Sequence, residues 1–219
     1  DLARLLPPKR AFLKRIKPFW QFTDFLLNLI LDFRLYFSPR KKNTHWKQVF
    51  EVDDKIDHFI RQNQSGQIFK RGKNELNWIL KFPWIRSAKP DSQSRKYYFS
   101  SVARIFEFKA LMLEDQEGKI KGFVVLSRRD YSLKVPYCYF EKDTLDEVIS
   151  CLTWHIFEWK IKTATIFHPA LVEHFQRKQF PAFFTRSFRR HYIISRVFDA
   201  FDIENRYKIQ DGDADCAFT

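Results

Sequence analysis

Glycine is scarce in this chain, with 5 in 219 residues against 25 phenylalanines. So few positions free of a Cβ leave little for tight turns or for main chain lying flat against a phosphate, which argues against a glycine-rich nucleotide loop. Cysteine is scarce as well. Cys138, Cys151 and Cys216 are odd in number and lack metal-ligand spacing, a pattern that predicts reduced thiols in a cytoplasmic protein rather than a disulfide framework. The single methionine is Met112 and residue 1 is Asp, so no initiator opens the sequence, which reads as part of a longer or processed polypeptide. No basic stretch, apolar core and small-residue cleavage site stand at its start, so no signal peptide is visible.

What is present is apolar and basic. Hydrophobic residues make up 45% and aromatics 18% of the chain, enough to bury a sizeable core in one domain plus an extension. Lys and Arg number 39 against 26 Asp and Glu, a formal charge of +13. That excess favours acidic partners such as nucleic acid, anionic lipid or a phosphorylated cofactor, without dictating a fold. Clusters stand at Lys9-Arg10, Lys14-Arg15-Lys17, Arg40-Lys41-Lys42 and Arg186 to Arg190. No nucleic-acid motif accompanies them, so a solvated basic face is the ordinary reading.

After Pro18 the run Phe19 to Phe37 is apolar nearly all round. Its length would suit a bilayer, yet Asp24, Asn28, Asp32 and Arg34 interrupt it. Gln21, Asp24, Asn28 and Asp32 recur at helical spacing, which predicts an amphipathic helix packed on protein, with membrane-surface contact as the alternative that its basic flanks support. Ser38 to Asn43 is a polar breaker. It divides a helical connector, residues 1–44, from a domain at 45–219.

Within that domain the elements alternate. A strand is predicted at 46–52, a helix capped by Asp53 and Asp54 to about Asn63, a loop at 64–66, and a second helix at 72–82 stopped by Pro83. Leu76, Ile79 and Leu80 form the apolar side of the second helix; Trp78 is expected with them, and Asn77 to bridge a loop. Residues 87–96 read as a loop. A meander follows with strands at 104–115, 120–129 and 133–140. Asp143 and Thr144 are expected to cap a helix to about Lys160, followed by a strand at 163–167, a helix from His168-Pro169 to about Gln179, an extended segment at 183–197 and a short strand at 206–209. A meander between a helical pair and a β-α-β unit predicts a mixed α/β fold, its sheet mainly antiparallel and flanked by helices.

Two motifs stand at the two ends of this pattern. Arg71, Glu75, Asn77 and Trp78 lie in the second helix region, and Asp211-Gly212-Asp213-Ala214-Asp215 lies in the tail. Together with the element order over 45–219 they resemble a bacterial branch of the GNAT acyltransferase superfamily. The resemblance implies an acyl-CoA-dependent N-acyltransferase with a small amine as acceptor, and places a leaving-thiol acid on the late strand, where Tyr192 stands. It also implies a second GNAT-like domain upstream in the same polypeptide. In such domains the third meander strand splays from the next one, and a glycine-rich loop then aims N–H groups and a helix N-terminus at the pyrophosphate of acetyl-CoA.

The corresponding stretch here, with Tyr139, Phe140 and Lys142 as candidate cofactor contacts, has no glycine from Tyr139 to Leu145. Glu141 and Asp143 set negative charge where a diphosphate would lie, partly offset by Lys142. The alternatives are therefore a non-catalytic GNAT-like interaction domain, or half of a Fem-like aminoacyl-tRNA-dependent transferase whose basic surface would serve tRNA. His155, between Trp154 and Trp159 in sequence neighbourhood, is a candidate general base. Asp211, Asp213 and Asp215 have the spacing of a calcium-loop start, but Cys216 stands where that loop needs glycine; no metal is expected, and the carboxylates are expected to accept hydrogen bonds that pin the tail.

Overall fold

Phe123, Val124, Val125 and Leu126 follow one another without a polar residue. A run of that kind suits a strand covered on both faces, and all four side chains are buried. They belong to β5 (Ile120–Arg129), the middle of a sheet ordered β1-β4-β5-β6-β7. The other strands are β1 (Trp46–Val49), β4 (Phe106–Glu114), β6 (Ser132–Phe140) and β7 (Thr163–Thr165). A separate parallel pair joins β2 (Arg86–Ser87) to β3 (Val102–Ala103). In the large sheet β1, β4, β5 and β6 pair antiparallel, and β6 pairs parallel with β7.

This is a computed structural model, and it describes residues 22–23, 25–26, 29, 46–83, 85–87, 102–178, 181–182, 184–187 and 208–213. The chain divides into two units, Asp1–Lys41 and Lys42–Thr219. In the first, Phe22, Thr23, Phe25, Leu26 and Leu29 are helical. Among the described residues no helix is long and apolar enough to cross a membrane.

Helices cover both faces of the sheet. On one side α1 (Asp54–Gln62) and α2 (Lys73–Lys81) bring Ile56, Phe59, Ile60, Leu76 and Ile79 against Phe123, Val125, Tyr137 and Tyr139. On the other, α3 (Leu145–Glu158) and α4 (Pro169–Lys178) bring Val148, Leu152, Leu171 and Phe175 against Val124, Leu126, Leu133 and Val135. The mixed, mainly antiparallel sheet flanked by helices is the fold class that the element order predicts.

The helix ends follow from local chemistry. Asp53 caps α1, its Oδ1 accepting the Ile56 N–H at 2.8 Å. The residue before α2 is Gly72, which has no capping side chain, so two carboxylates serve instead. Glu75 Oε2 accepts the Gly72 N–H at 2.9 Å and Asp57 Oδ1, reaching over from α1, accepts the Lys73 N–H at 2.7 Å. A Cβ on Gly72 would lie 3.0 Å from both Asp57 Oδ1 and Arg61 Nη2, so a larger residue there would push on those two side chains.

Several expectations change. Trp78 is half exposed and tilts against Phe82 with ring centroids 5.9 Å apart. At 100° per residue it lies about 160° from Leu76 and Leu80, so the helical period itself turns it away from the core. Thr144 does not cap α3; its hydroxyl lies 2.6 Å from the Glu141 carbonyl and 3.2 Å from that of Lys121. Ser87, expected in a loop, is in β2, where its hydroxyl accepts the Phe106 N–H at 3.0 Å. Of the strand expected at 206–209, Lys208 and Ile209 are described, and Lys208 makes a single bridge to Gln67. Most of 183–197, with Tyr192, and the loop at 88–96, together with Asp215, lie outside the described residues.

Candidate functional site

The side-chain alternation of β6 breaks once. Leu133 and Val135 face α3, and Cys138 faces it too, whereas Tyr137 and Tyr139 face α1 and α2. Two odd positions on one side followed by two on the other require an extra residue. The register shows it: Val125 opposes Tyr137 and Ser127 opposes Lys134, so two steps on β5 match three on β6. The bulge falls at Val135-Pro136, where proline has no N–H to give the ladder.

Beyond the bulge β6 also loses its other neighbour. Its pairing with β7 spans Ser132↔Thr163 to Lys134↔Thr165 and stops, while β6 runs on to Phe140. All three residues of β7 are paired and the ladder ends with that strand at Thr165, so the Pro136 to Phe140 edge of β6 lies outside it. The Cys138 carbonyl on this edge accepts the Gln210 Nε2 hydrogen at 3.1 Å. In a strand the N–H of a residue points to the same edge as its carbonyl, so the Cys138 N–H shares it.

A turn closes the end of β6. Residues Lys142–Thr144 form a 3-10 turn leading into α3, held by the Thr144 N–H on the Glu141 carbonyl (3.0 Å) and the Glu141 N–H on the Lys121 carbonyl (3.0 Å). Glu141 is paired with Lys121 at 2.6 Å and Lys119 at 3.1 Å, and Lys121 lies 3.8 Å from Asp143. Hydrogen bonds from Lys121 and Lys119 hold the Glu141 carboxyl below its usual range. The carboxylates expected to repel a diphosphate are thus compensated by two lysines of β5 and its turn, and Lys142 on the same turn is exposed.

The two resemblance motifs meet beside this edge. The Lys208 N–H donates to the Gly66 carbonyl at 2.7 Å and the Ile68 N–H to the Lys208 carbonyl at 3.2 Å, joining the tail to the loop before α2. Arg71 Nε then reaches Asp213 Oδ1 at 3.3 Å, and the Gln210 N–H donates to Asp213 Oδ2 at 3.0 Å. Burial raises the Asp213 carboxyl above its usual range, opposed by these two partners. Burial likewise acts to lower the Arg71 guanidinium, but Tyr137 and Asp213 outweigh it and raise it.

Tyr137 fixes the turn from below. Its hydroxyl donates to the Gly212 carbonyl at 2.7 Å, and a Cβ on Gly212 would sit 2.5 Å from its ring. Only glycine lets the 3-10 turn Asp211–Asp213 lie so close to β6. Asp211 is itself buried. Asp213, expected to anchor the tail through hydrogen bonds, thus forms part of a polar cluster with Arg71, Gln64, Tyr137 and Gln210; Gln64 donates to the Arg71 carbonyl.

Tyr139, Phe140 and Lys142 stand together at the end of β6. The Tyr139 side chain is buried against α1 and α2, and burial pushes its phenol well above the ordinary range. Phe140 is half-buried on the opposite face, 4.9 Å from the His168 ring. Backbone N–H and carbonyl groups alternate between the two edges of a strand, so Phe140 presents its own to the open edge, as Cys138 does, while those of Tyr139 face β5. His155 lies elsewhere, on α3, with its Nδ1–H donating to the Cys151 carbonyl at 2.9 Å and its ring between Trp154 (4.7 Å) and Trp159 (4.8 Å). Burial lowers it to about 4, so it is neutral near pH 7. Sequence reasoning did not single out Tyr137, Gln64 or Gln210 as site residues; the only signal was the closeness of Gln210 to the tail motif. Among the described residues no group of His, Cys, Asp and Glu has metal-binding geometry.

No family model matches the chain, and no curated protein matches it. Among solved structures the chain is similar to a ribosomal-protein-alanine N-acetyltransferase from Brucella melitensis biovar Abortus 2308, at 13% identity and a TM-score of 0.38, over 68% of this chain and 96% of that one. Likeness at that level fixes no activity, so the reading below rests on the β6 edge.

Proposed function

We propose that residues 45–219 form a GNAT-like N-acyltransferase domain that takes an acyl-CoA thioester and transfers the acyl group to an amine. The observation that carries this reading is the Pro136 to Phe140 edge of β6, which runs on past the bulge and past the end of the β7 ladder. A strand that outruns its parallel neighbour leaves main-chain donors and acceptors along that edge, and an extended amide-bearing arm such as that of coenzyme A can pair with them as an added strand. Backbone N–H groups of that edge, Cys138 among them, would hold the oxyanion when the amine attacks the thioester. Lys142 and the start of α3 would face the diphosphate. Phe140 would contribute main chain, Tyr139 would support the edge from the α1 and α2 side, and Tyr192 would protonate the leaving thiolate. The acceptor is read no more finely than a small amine.

A second reading, a non-catalytic GNAT-like interaction domain, is favoured by one observation. The turn after β6 spends the Glu141 and Thr144 N–H groups internally, and these are amides that a diphosphate cradle would need.

Calorimetric titration with acetyl-CoA at near-physiological salt separates the two, with desulfo and dephospho analogues as controls. Saturable binding that weakens about tenfold in Lys142→Ala, the loss of one charge-assisted contact, is the expected result. Absence of binding up to millimolar donor would sink the acyl-CoA reading and leave the interaction domain.

A further inference from the structure

The helical residues of the first unit carry an unusual surface. Phe22, Phe25, Leu26 and Leu29 are 62%, 63%, 44% and 55% exposed. Their spacing is i, i+3, i+4 and i+7, which at 3.6 residues per turn gathers them within an arc of about 100°. Four large apolar side chains on one face of a helix form a contiguous patch, unlike a single surface leucine. By spacing alone, Asp24 falls on the opposite side, while Gln21 and Asn28 border the patch beside Phe25.

Charge says what would cover that patch. No Asp or Glu occurs from Leu2 to Thr23 or from Phe33 to Phe50, whereas these stretches hold Lys14, Arg15 and Lys17 on one side and Arg40, Lys41 and Lys42 on the other. A protein groove lined by apolar side chains asks for no such paired cationic flanks. An anionic bilayer surface asks for both features at once: apolar side chains enter the acyl boundary along the helix while basic residues at its two ends meet the headgroup phosphates.

We propose that this helix lies in the plane of an anionic lipid surface, with Phe22, Phe25, Leu26 and Leu29 inserted and the 14–17 and 40–42 clusters on headgroups. Such a placement would hold the 45–219 domain at the membrane. It does not depend on the acyltransferase reading.

The test is flotation of the full 219-residue chain with vesicles of phosphatidylcholine alone or with one third phosphatidylglycerol. The wild type is expected to float with the anionic vesicles only, more weakly at raised salt. Phe25→Glu with Leu29→Glu, and separately Lys41→Glu with Lys42→Glu, should each reduce the bound fraction at least about tenfold, since a carboxylate in the acyl boundary and a reversed headgroup charge both oppose binding. An unchanged melting transition shows that the variants remain folded. Failure to float, or binding that survives Phe25→Glu with Leu29→Glu, overturns the proposal. So does a concentration-dependent self-association of the wild type that the same pair abolishes, because the face would then be covered by a second copy.

Discussion

Asn77 answers a difficulty that the chain creates after β1. Val52 is fully buried where it is no longer in the sheet ladder, so its N–H and carbonyl need partners. The Asn77 amide supplies both, Oδ1 accepting the Val52 N–H at 2.7 Å and Nδ2 donating to the Val52 carbonyl at 3.0 Å. Asparagine is one of the few side chains that carry a donor and an acceptor so placed. Asn77→Ala leaves two buried main-chain groups without these partners, and is expected to lower stability by about 2–4 kcal/mol in urea unfolding. Asn77→Asp keeps the acceptor but sets a carboxylate against the Val52 carbonyl, so it should rescue little. The bridging role of Asn77 was legible in the sequence. The identity of the bridged residue was not, because it lies 25 positions away and is selected by how α2 packs.

At the scale of elements, α1 and α2 hold each other through Asp57. Its Oδ1 caps α2 at the Lys73 N–H while its Oδ2 accepts the Arg61 Nε hydrogen at 2.6 Å. Burial works to raise this carboxyl, but Arg61 and the Lys73 N–H outweigh burial and lower it. A cap supplied by a neighbouring helix fixes the crossing of the pair as well as the start of one helix. Asp57→Ala is therefore expected to cost about 1–2 kcal/mol, the value of a capping side chain, with earlier loss of hydrogen-exchange protection at Lys73 to Leu76 than in β5. The extents of β5 and α2 were legible, since an apolar run between turn signals and a stretch ended by Pro83 leave little freedom. The bulge in β6 was not, because Val135-Pro136 reads as ordinary strand until the facing of Tyr137 and Cys138 is known.

For the whole molecule, the burial of histidine ties stability to pH. His155 and His168 are both lowered by burial from 6.5 to about 4. Between those values the unfolded chain binds a proton that the folded chain does not, so stability rises with pH across this window and levels off above 6.5. Each group contributes up to about 3 kcal/mol, fully present above 6.5 and lost as pH falls towards 4. Asp213, whose carboxyl is raised, acts in the opposite sense above its ordinary value of 3.8. Urea unfolding as a function of pH should therefore show a rise from pH 4 to 6.5, and His155→Leu should reduce its slope by about half, since His168 remains.

The sequence by itself determined the helical and strand periods, the order of the main strands and helices from Trp46 to Lys178 apart from the short β2–β3 pair, and the charge of the chain, because these depend on residue type and near-neighbour spacing. Only the tertiary structure decided what distant residues do together. Arg71 meets Asp213 across 142 positions, Lys119 and Lys121 compensate Glu141, and β6 outruns β7 past a bulge that turns its side chains over. Pairing, burial and the opening of an edge are properties of atoms brought together by packing, and local spacing carries no record of them.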